Sequence, residues 1–174
     1  MDSRHAMRVL FLDFDGVLHP LGLELEAGRV INGKPVARPV QVDYFCWLGL
    51  LKQLLAGHPD VRIVVHSSWR ASHDLAQCQG YFGDMADLVI DVTRADLEKL
   101  ASIRDWLTHH PQVTQWRALD DAAEEFRLKP VDPDEFVDPE APPDVPEFIE
   151  CHWQRGITAP DVQAKLQDWL KQTC

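Results

Sequence analysis

Two aspartates one residue apart, Asp13 and Asp15, close the apolar run at residues 9–12 and are followed at once by Gly16. A side-by-side pair, Asp120 and Asp121, closes a mostly apolar stretch at residues 116–119, and Ser67 stands just beyond another at residues 61–65. Each pair has a bland reading: the first ends a strand and caps a turn, the second caps a helix ahead of Ala122 and Ala123. In an open α/β sheet, however, ligands bind beyond the carboxyl ends of the strands, so residues that close separate strands meet on one rim. Four carboxylates gathered there repel one another unless a cation sits among them. Oxygen donors with positions left open suit Mg2+, which keeps several waters and takes one or two carboxylates together with substrate phosphate.

Positioning these side chains requires strands that alternate with helices. The run at residues 9–12 is continuous and apolar, as in a central strand buried on both faces. Residues 61–65, 88–92 and 116–119 read as further strands, and residues 147–151 as a last one. Tyr44, Trp47, Leu48, Leu51, Leu54 and Leu55 follow helical spacing, with Asp43 before them and Gly57 after, which predicts a capped helix over residues 43–56. A short helix is predicted after Ser72. Thr93 is read as the cap of a helix that turns Leu97, Leu100, Ile103, Trp106 and Leu107 inward. Thr158 is read as the cap of a final helix with Val162, Leu166, Trp169 and Leu170 inward. Residues 20–40 carry Gly22, Gly28, Gly33, Pro35 and Pro39 and lack helical periodicity, so a flap or hairpin is expected there. Residues 129–146 mix prolines with carboxylates, as in an irregular surface insertion.

The 174 residues suit one domain over residues 1–174, and 45% hydrophobic content is enough for a core without metal clusters or disulfides. A net charge of −11, from 17 Lys plus Arg against 28 Asp plus Glu, argues against a broad nucleic-acid surface while leaving room for a local phosphate site. Cys46, Cys78, Cys151 and Cys174 form no CxxC pair and read as reduced thiols of a cytoplasmic protein, with Cys46 and Cys78 packed on helices. The opening apolar run is far too short for a signal peptide or a membrane span, so no membrane attachment is expected.

The segment FLDFDGVLHP resembles the first motif of the haloacid dehalogenase-like (HAD) superfamily, RIVVHSSWR its second and WRALDD its fourth. With a helix ending in DWL, the set is most similar to the small HAD domains related to those in bacterial RNA-repair proteins. The resemblance covers residues 9–121, with weaker echoes in RGIT and the last helix. It implies a Rossmann-like three-layer α/β sandwich with a central parallel sheet and a minimal cap. It also implies that Asp13 attacks phosphorus to form an aspartyl-phosphate, and that Asp15 protonates the leaving oxygen and later activates water. Gly16 would permit the tight turn that brings backbone N–H groups to the phosphoryl oxygens. Mg2+ would bind Asp13, the backbone carbonyl of Asp15 and Asp121, with Asp120 behind. Ser67, with Ser68 as competitor, would hydrogen-bond a phosphoryl oxygen. Lys99 would offset charge as the basic residue of the third motif, with Arg94 and Arg104 as alternatives. Arg70 is either a phosphate contact or not part of the site, and His19 is either a substrate contact or an ordinary loop histidine. Trp69 reads as core packing, and His66, His109 and His110 as structural or solvated.

The short span between Asp15 and Ser67 leaves no room for a large cap, and an open site favours a bulky phosphorylated substrate such as a nucleotide, a polynucleotide end or a phosphoprotein. The rivals are a noncatalytic phosphate-sensing or protein-interaction module and a phosphotransferase with an acceptor other than water.

Overall fold

The computed structural model describes residues 7–126 and 145–172; the expectations for the opening residues, for Cys174 and for most of residues 129–146 fall outside them. The strands are β1 (Met7–Leu12), β2 (Leu23–Ile31), β3 (Lys34–Pro39), β4 (Val61–Val65), β5 (Val89–Val92), β6 (Val113–Asp120) and β7 (Phe148–Glu150). The helices are α1 (Leu48–Leu55), α2 (Leu75–Tyr81), α3 (Lys99–Thr108) and α4 (Pro160–Leu170). Five strands form a wholly parallel sheet in the order β5-β4-β1-β6-β7. Its centre is β1, as the unbroken apolar run predicts.

Successive β1 side chains point to opposite faces. Leu10 and Leu12 pack with Leu51 and Leu55 of α1, Cys78 of α2, and Val162, Leu166 and Trp169 of α4. Val9 and Phe11 pack on the other face with Leu100, Ile103 and Trp106 of α3, and with Phe126 and Phe148. Each fully buried apolar side chain contributes about 1.5–3 kcal/mol relative to exposure. The result is the expected three-layer Rossmann-like α/β sandwich. Arg8, buried at the far end of β1, donates to the carbonyls of Trp169, Leu170 and Gln172 and to the Asp60 carboxylate. It thereby ties the last carbonyls of α4 and the turn after it to β1.

Residues 20–40 do form a hairpin. Strands β2 and β3 pair antiparallel with each other, outside the main sheet. Asn32 and Gly33 supply the two positive φ angles, 51° and 76°, that a tight hairpin turn demands.

Three predicted caps are corrected. Helix α1 starts at Leu48 rather than near Asp43, because Phe45 adopts a left-handed φ of 59° that no helix can continue through. Tyr44 consequently lies outside the core, and Cys46 is exposed in the turn rather than packed on a helix. Thr93 extends the β4–β5 ladder, its N–H donating to the Val65 carbonyl at 2.8 Å, and α3 begins only after Glu98. Thr158 closes a short turn by donating Oγ1 to the Arg155 carbonyl, while Ala159 and Pro160 start α4. The short helix after Ser72 is capped by Asp74, whose side chain and that of Gln77 form a reciprocal capping box.

Candidate active site

Strand register carries the key residues to one edge. Past the ends of the strands the ladder continues: Asp13 N–H donates to the Leu119 carbonyl at 3.0 Å and His66 N–H to that of Leu12 at 3.1 Å. Cys151 N–H likewise donates to the Asp120 carbonyl at 2.8 Å. Asp13, Ser67, Asp120 and Asp121 therefore emerge on the same rim from β1, β4 and β6. Below it the loop after β1 is pinned by Gly156, where a Cβ would lie 2.4 Å from the Val17 carbonyl oxygen and 2.5 Å from the Trp47 ring. This close approach accounts for the glycine of the RGIT segment.

Lys99, the first residue of α3, is buried between two carboxylates. Its Nζ donates to Asp13 Oδ2 and to Asp120 Oδ2, both at 2.6 Å. Burial alone would pull the ammonium down toward neutrality, but Asp13 and Asp120 together reverse this and raise its pKa above 10.5. The other Asp13 oxygen accepts from Phe14 N–H at 2.7 Å, and the other Asp120 oxygen from Ala122 N–H at 2.8 Å. Arg94, by contrast, is exposed and paired with Asp96, and Arg104 is exposed.

Asp13, Asp120 and Asp121 each offer a carboxylate oxygen, all within 4.8 Å of one another. One ammonium cannot balance three carboxylates. Burial first, and the Asp13 charge second, raise Asp120 to about 8 and Asp121 to about 6. The cluster thus favours an extra positive charge, either a proton or a cation, and an all-oxygen donor set of this kind fits Mg2+. Asp120 is wholly buried, whereas Asp121 is only half-buried and so is the freer ligand of the pair. Gly16 makes room for it: at φ 70°, a Cβ on Gly16 would sit 2.2 Å from Asp121 Oδ2. Its absence of a side chain serves the approach of Asp121 as well as the turn.

Asp15 stands apart from this cluster. Its Oδ2 accepts from Trp69 Nε1–H at 2.8 Å and its Oδ1 contacts His19 Nε2 at 3.0 Å. Phe45 N–H donates to His19 Nδ1 at 3.3 Å, which assigns the His19 proton to Nε2 and makes it the donor to Asp15. The hydrogen bond from His19, opposed by burial and reinforced by Trp69, lowers the Asp15 pKa. His19 is wholly buried and is therefore placed behind Asp15 rather than at a substrate-facing position. Trp69, read from sequence as core, is only half-buried and holds the second acid. The left-handed Phe45 aims the N–H that orients His19, a strained conformation of the sort that collects at functional sites. Neither contact leaves a periodic signal, because the partners are brought together only by folding.

Arg70 straps two loops, its guanidinium spent on the backbone carbonyls of His66, Ser67, Arg94 and Leu97. These bonds tie the loop after β4 to the loop that leads into α3, and so help set the position of Lys99. Ser67 is buried at the rim, accepting from Trp69 N–H at 3.4 Å, and Ser68 beside it is exposed. His66 is structural as expected: complete burial lowers its pKa to about 3, so it is neutral.

Residues 9–162 match the family described as the HAD domain in Swiss Army Knife RNA repair proteins. No curated protein and no solved structure matches the chain. Among the described residues, no helix is long and apolar enough to cross a membrane.

Proposed function

The chain belongs to the family of HAD domains in Swiss Army Knife RNA repair proteins, and we propose that it is a Mg2+-dependent phosphohydrolase that uses Asp13 to take a phosphoryl group from a phosphate monoester. Phosphoesterase-type chemistry comes with the family. The finer reading rests on one observation above all: a buried lysine bridges Asp13 and Asp120 beside Asp121, a nest with an unbalanced negative charge.

Held by Asp13, Asp121 and the backbone carbonyl of Asp15, Mg2+ would supply positive charge against the phosphoryl oxygens. In the first half-reaction a carboxylate oxygen of Asp13 attacks phosphorus, the bond to the leaving oxygen breaks, and Asp15 gives that oxygen its proton. In the second, Asp15 takes a proton from the water that attacks the aspartyl-phosphate, and Asp13 is released. Asp15 at rest is ionised and doubly held, so it is ready for the second step and must acquire a proton before the first. Lys99 offsets charge on Asp13, and the Ser67 hydroxyl donates to a phosphoryl oxygen; loss of one such donor costs about 3 kcal/mol of transition-state stabilisation. The substrate class we assign is a nucleotide or polynucleotide end, in the cytoplasm. Free Cys46, Cys78 and Cys151 are in keeping with that compartment.

Purified protein with Mg2+ should hydrolyse p-nitrophenyl phosphate. EDTA should silence the activity and added Mg2+ restore it, and Asp13→Asn should abolish turnover while circular dichroism stays unchanged. Equal background from wild type and Asp13→Asn across a panel of phosphate esters would replace the enzyme with a noncatalytic phosphate-binding module.

A further inference from the structure

Beside Asp15 the surface opens into a depression of about 450 Å³ lined by Tyr44, Ser68, Trp69, Ser72, His73 and Tyr81. That volume is in the range of small-molecule sites, roughly 300–1,000 Å³. Its walls are rings set at angles to one another: Trp69 lies 5.8 Å from Tyr44, 5.4 Å from Tyr81 and 5.2 Å from His73 between centroids. Tyr44 is 60% exposed and Tyr81 37%, an uncommon outlay of aromatic surface to water. Tyr81 is backed by Phe45, stacked at 4.9 Å and 11°, so this wall is firm. Ser68 and Ser72 add exposed hydroxyls, and no Lys, Arg, Asp or Glu is among the residues that line it.

The depression is joined to the chemistry through one residue. The Trp69 ring forms its wall while the Trp69 Nε1–H is 2.8 Å from Asp15 Oδ2. In the phosphohydrolase reading, on which this inference rests, Asp15 protonates the leaving oxygen. A leaving group whose body runs from Asp15 along Trp69 enters the ring-lined space. An uncharged, flat, hydrogen-bonding group fits walls made of rings and hydroxyls. The net charge of −11 disfavours a long polyanion following behind it. We propose that Tyr44, Trp69, His73 and Tyr81 form a leaving-group subsite that takes the nucleobase of the nucleotide bearing the scissile phosphate.

The test compares AMP with ribose 5-phosphate on the full chain with Mg2+. Base stacking on aromatic side chains is strong enough that AMP should show a kcat/KM at least roughly 10-fold higher, carried by KM. Tyr44→Ala should bring this ratio toward one, and Tyr44→Phe, which keeps the ring, should preserve it. A ratio near one in wild type, or a ratio unmoved by Tyr44→Ala, overturns the subsite. So does a preference for phosphotyrosine over AMP, which would assign the rings to a phosphopeptide. Calorimetric binding of AMP and ribose 5-phosphate to Asp13→Asn supplies a readout that does not need turnover. If no ester is hydrolysed yet AMP binds more tightly and Tyr44→Ala removes the difference, the catalytic reading fails and the subsite stands. Equal binding of the two ligands overturns the subsite whatever the enzyme does.

Discussion

Lys99→Met removes the one ammonium between Asp13 and Asp120 while nearly keeping the side-chain volume, so packing is spared and the charge balance is not. The lysine Nζ is 2.6 Å from an oxygen of each aspartate, and all three groups are buried. Removing one partner of a buried ion pair costs about 3–5 kcal/mol, because it leaves uncompensated charge in a poorly solvated place. For a protein of this size that corresponds to a Tm loss of roughly 10 °C. The pH dependence carries a sign. Folding raises the Lys99 pKa above 10.5, so its stabilisation is complete below that pH and is lost only as the pH climbs through the higher folded value. Asp120, raised to about 8, is ionised above that value and protonated below it. The deficit should therefore be largest near about pH 9, where both carboxylates are charged and the wild-type lysine still is, and should narrow toward about pH 6. Urea unfolding in EDTA at both pH values measures it. Adding Asp120→Asn to Lys99→Met should recover much of the loss, a coupling visible in a double-mutant cycle. A Lys99→Met protein within about 1 kcal/mol of wild type near pH 9, or a deficit indifferent to Asp120→Asn, would refute the reasoning.

Two further outcomes follow from the same rim. Gly16→Ala places a methyl 2.2 Å from Asp121 Oδ2 at φ 70°, and should weaken Mg2+ binding at least roughly 10-fold by calorimetry with the far-ultraviolet spectrum intact; unchanged affinity refutes it. Asp121, raised from 3.8 to about 6 mainly by burial, holds its proton more tightly folded than unfolded, so metal-free stability should fall as the pH rises through that interval. Discounted for its partial exposure the loss is about 1 kcal/mol. Asp121→Asn should flatten the profile of urea midpoints in EDTA, and parallel profiles would disprove it.

The strand ends were legible because each combines an apolar stretch, unbroken at residues 9–12 and interrupted by one arginine at 61–65 and 116–119, with a polar stop, as burial on both faces of a parallel sheet favours. The residue order alone therefore assigns Asp13, Ser67, Asp120 and Asp121 to one rim. Lys99 was legible through the motif resemblance, since nothing in a lone lysine on a helix marks it as buried. Helix starts were less legible. Asp43, Thr93 and Thr158 have good capping chemistry, yet a left-handed Phe45, a ladder bond at Thr93 and Pro160 after Ala159 decided those boundaries instead.

By its own order of residue types the chain determined the parallel sheet, the carboxylate rim and the hairpin, because alternation, apolar runs and turn residues act over a few neighbours. Tertiary structure alone decided that Trp69 and His19 grip Asp15, that Arg70 straps loops, and that Tyr44 and Tyr81 stay in water beside them. Those contacts join positions as far apart as residues 15 and 69, or 70 and 97. Hydrogen-bond geometry sets them within ångströms after the sheet has closed, and no local spacing encodes a distance that only packing defines.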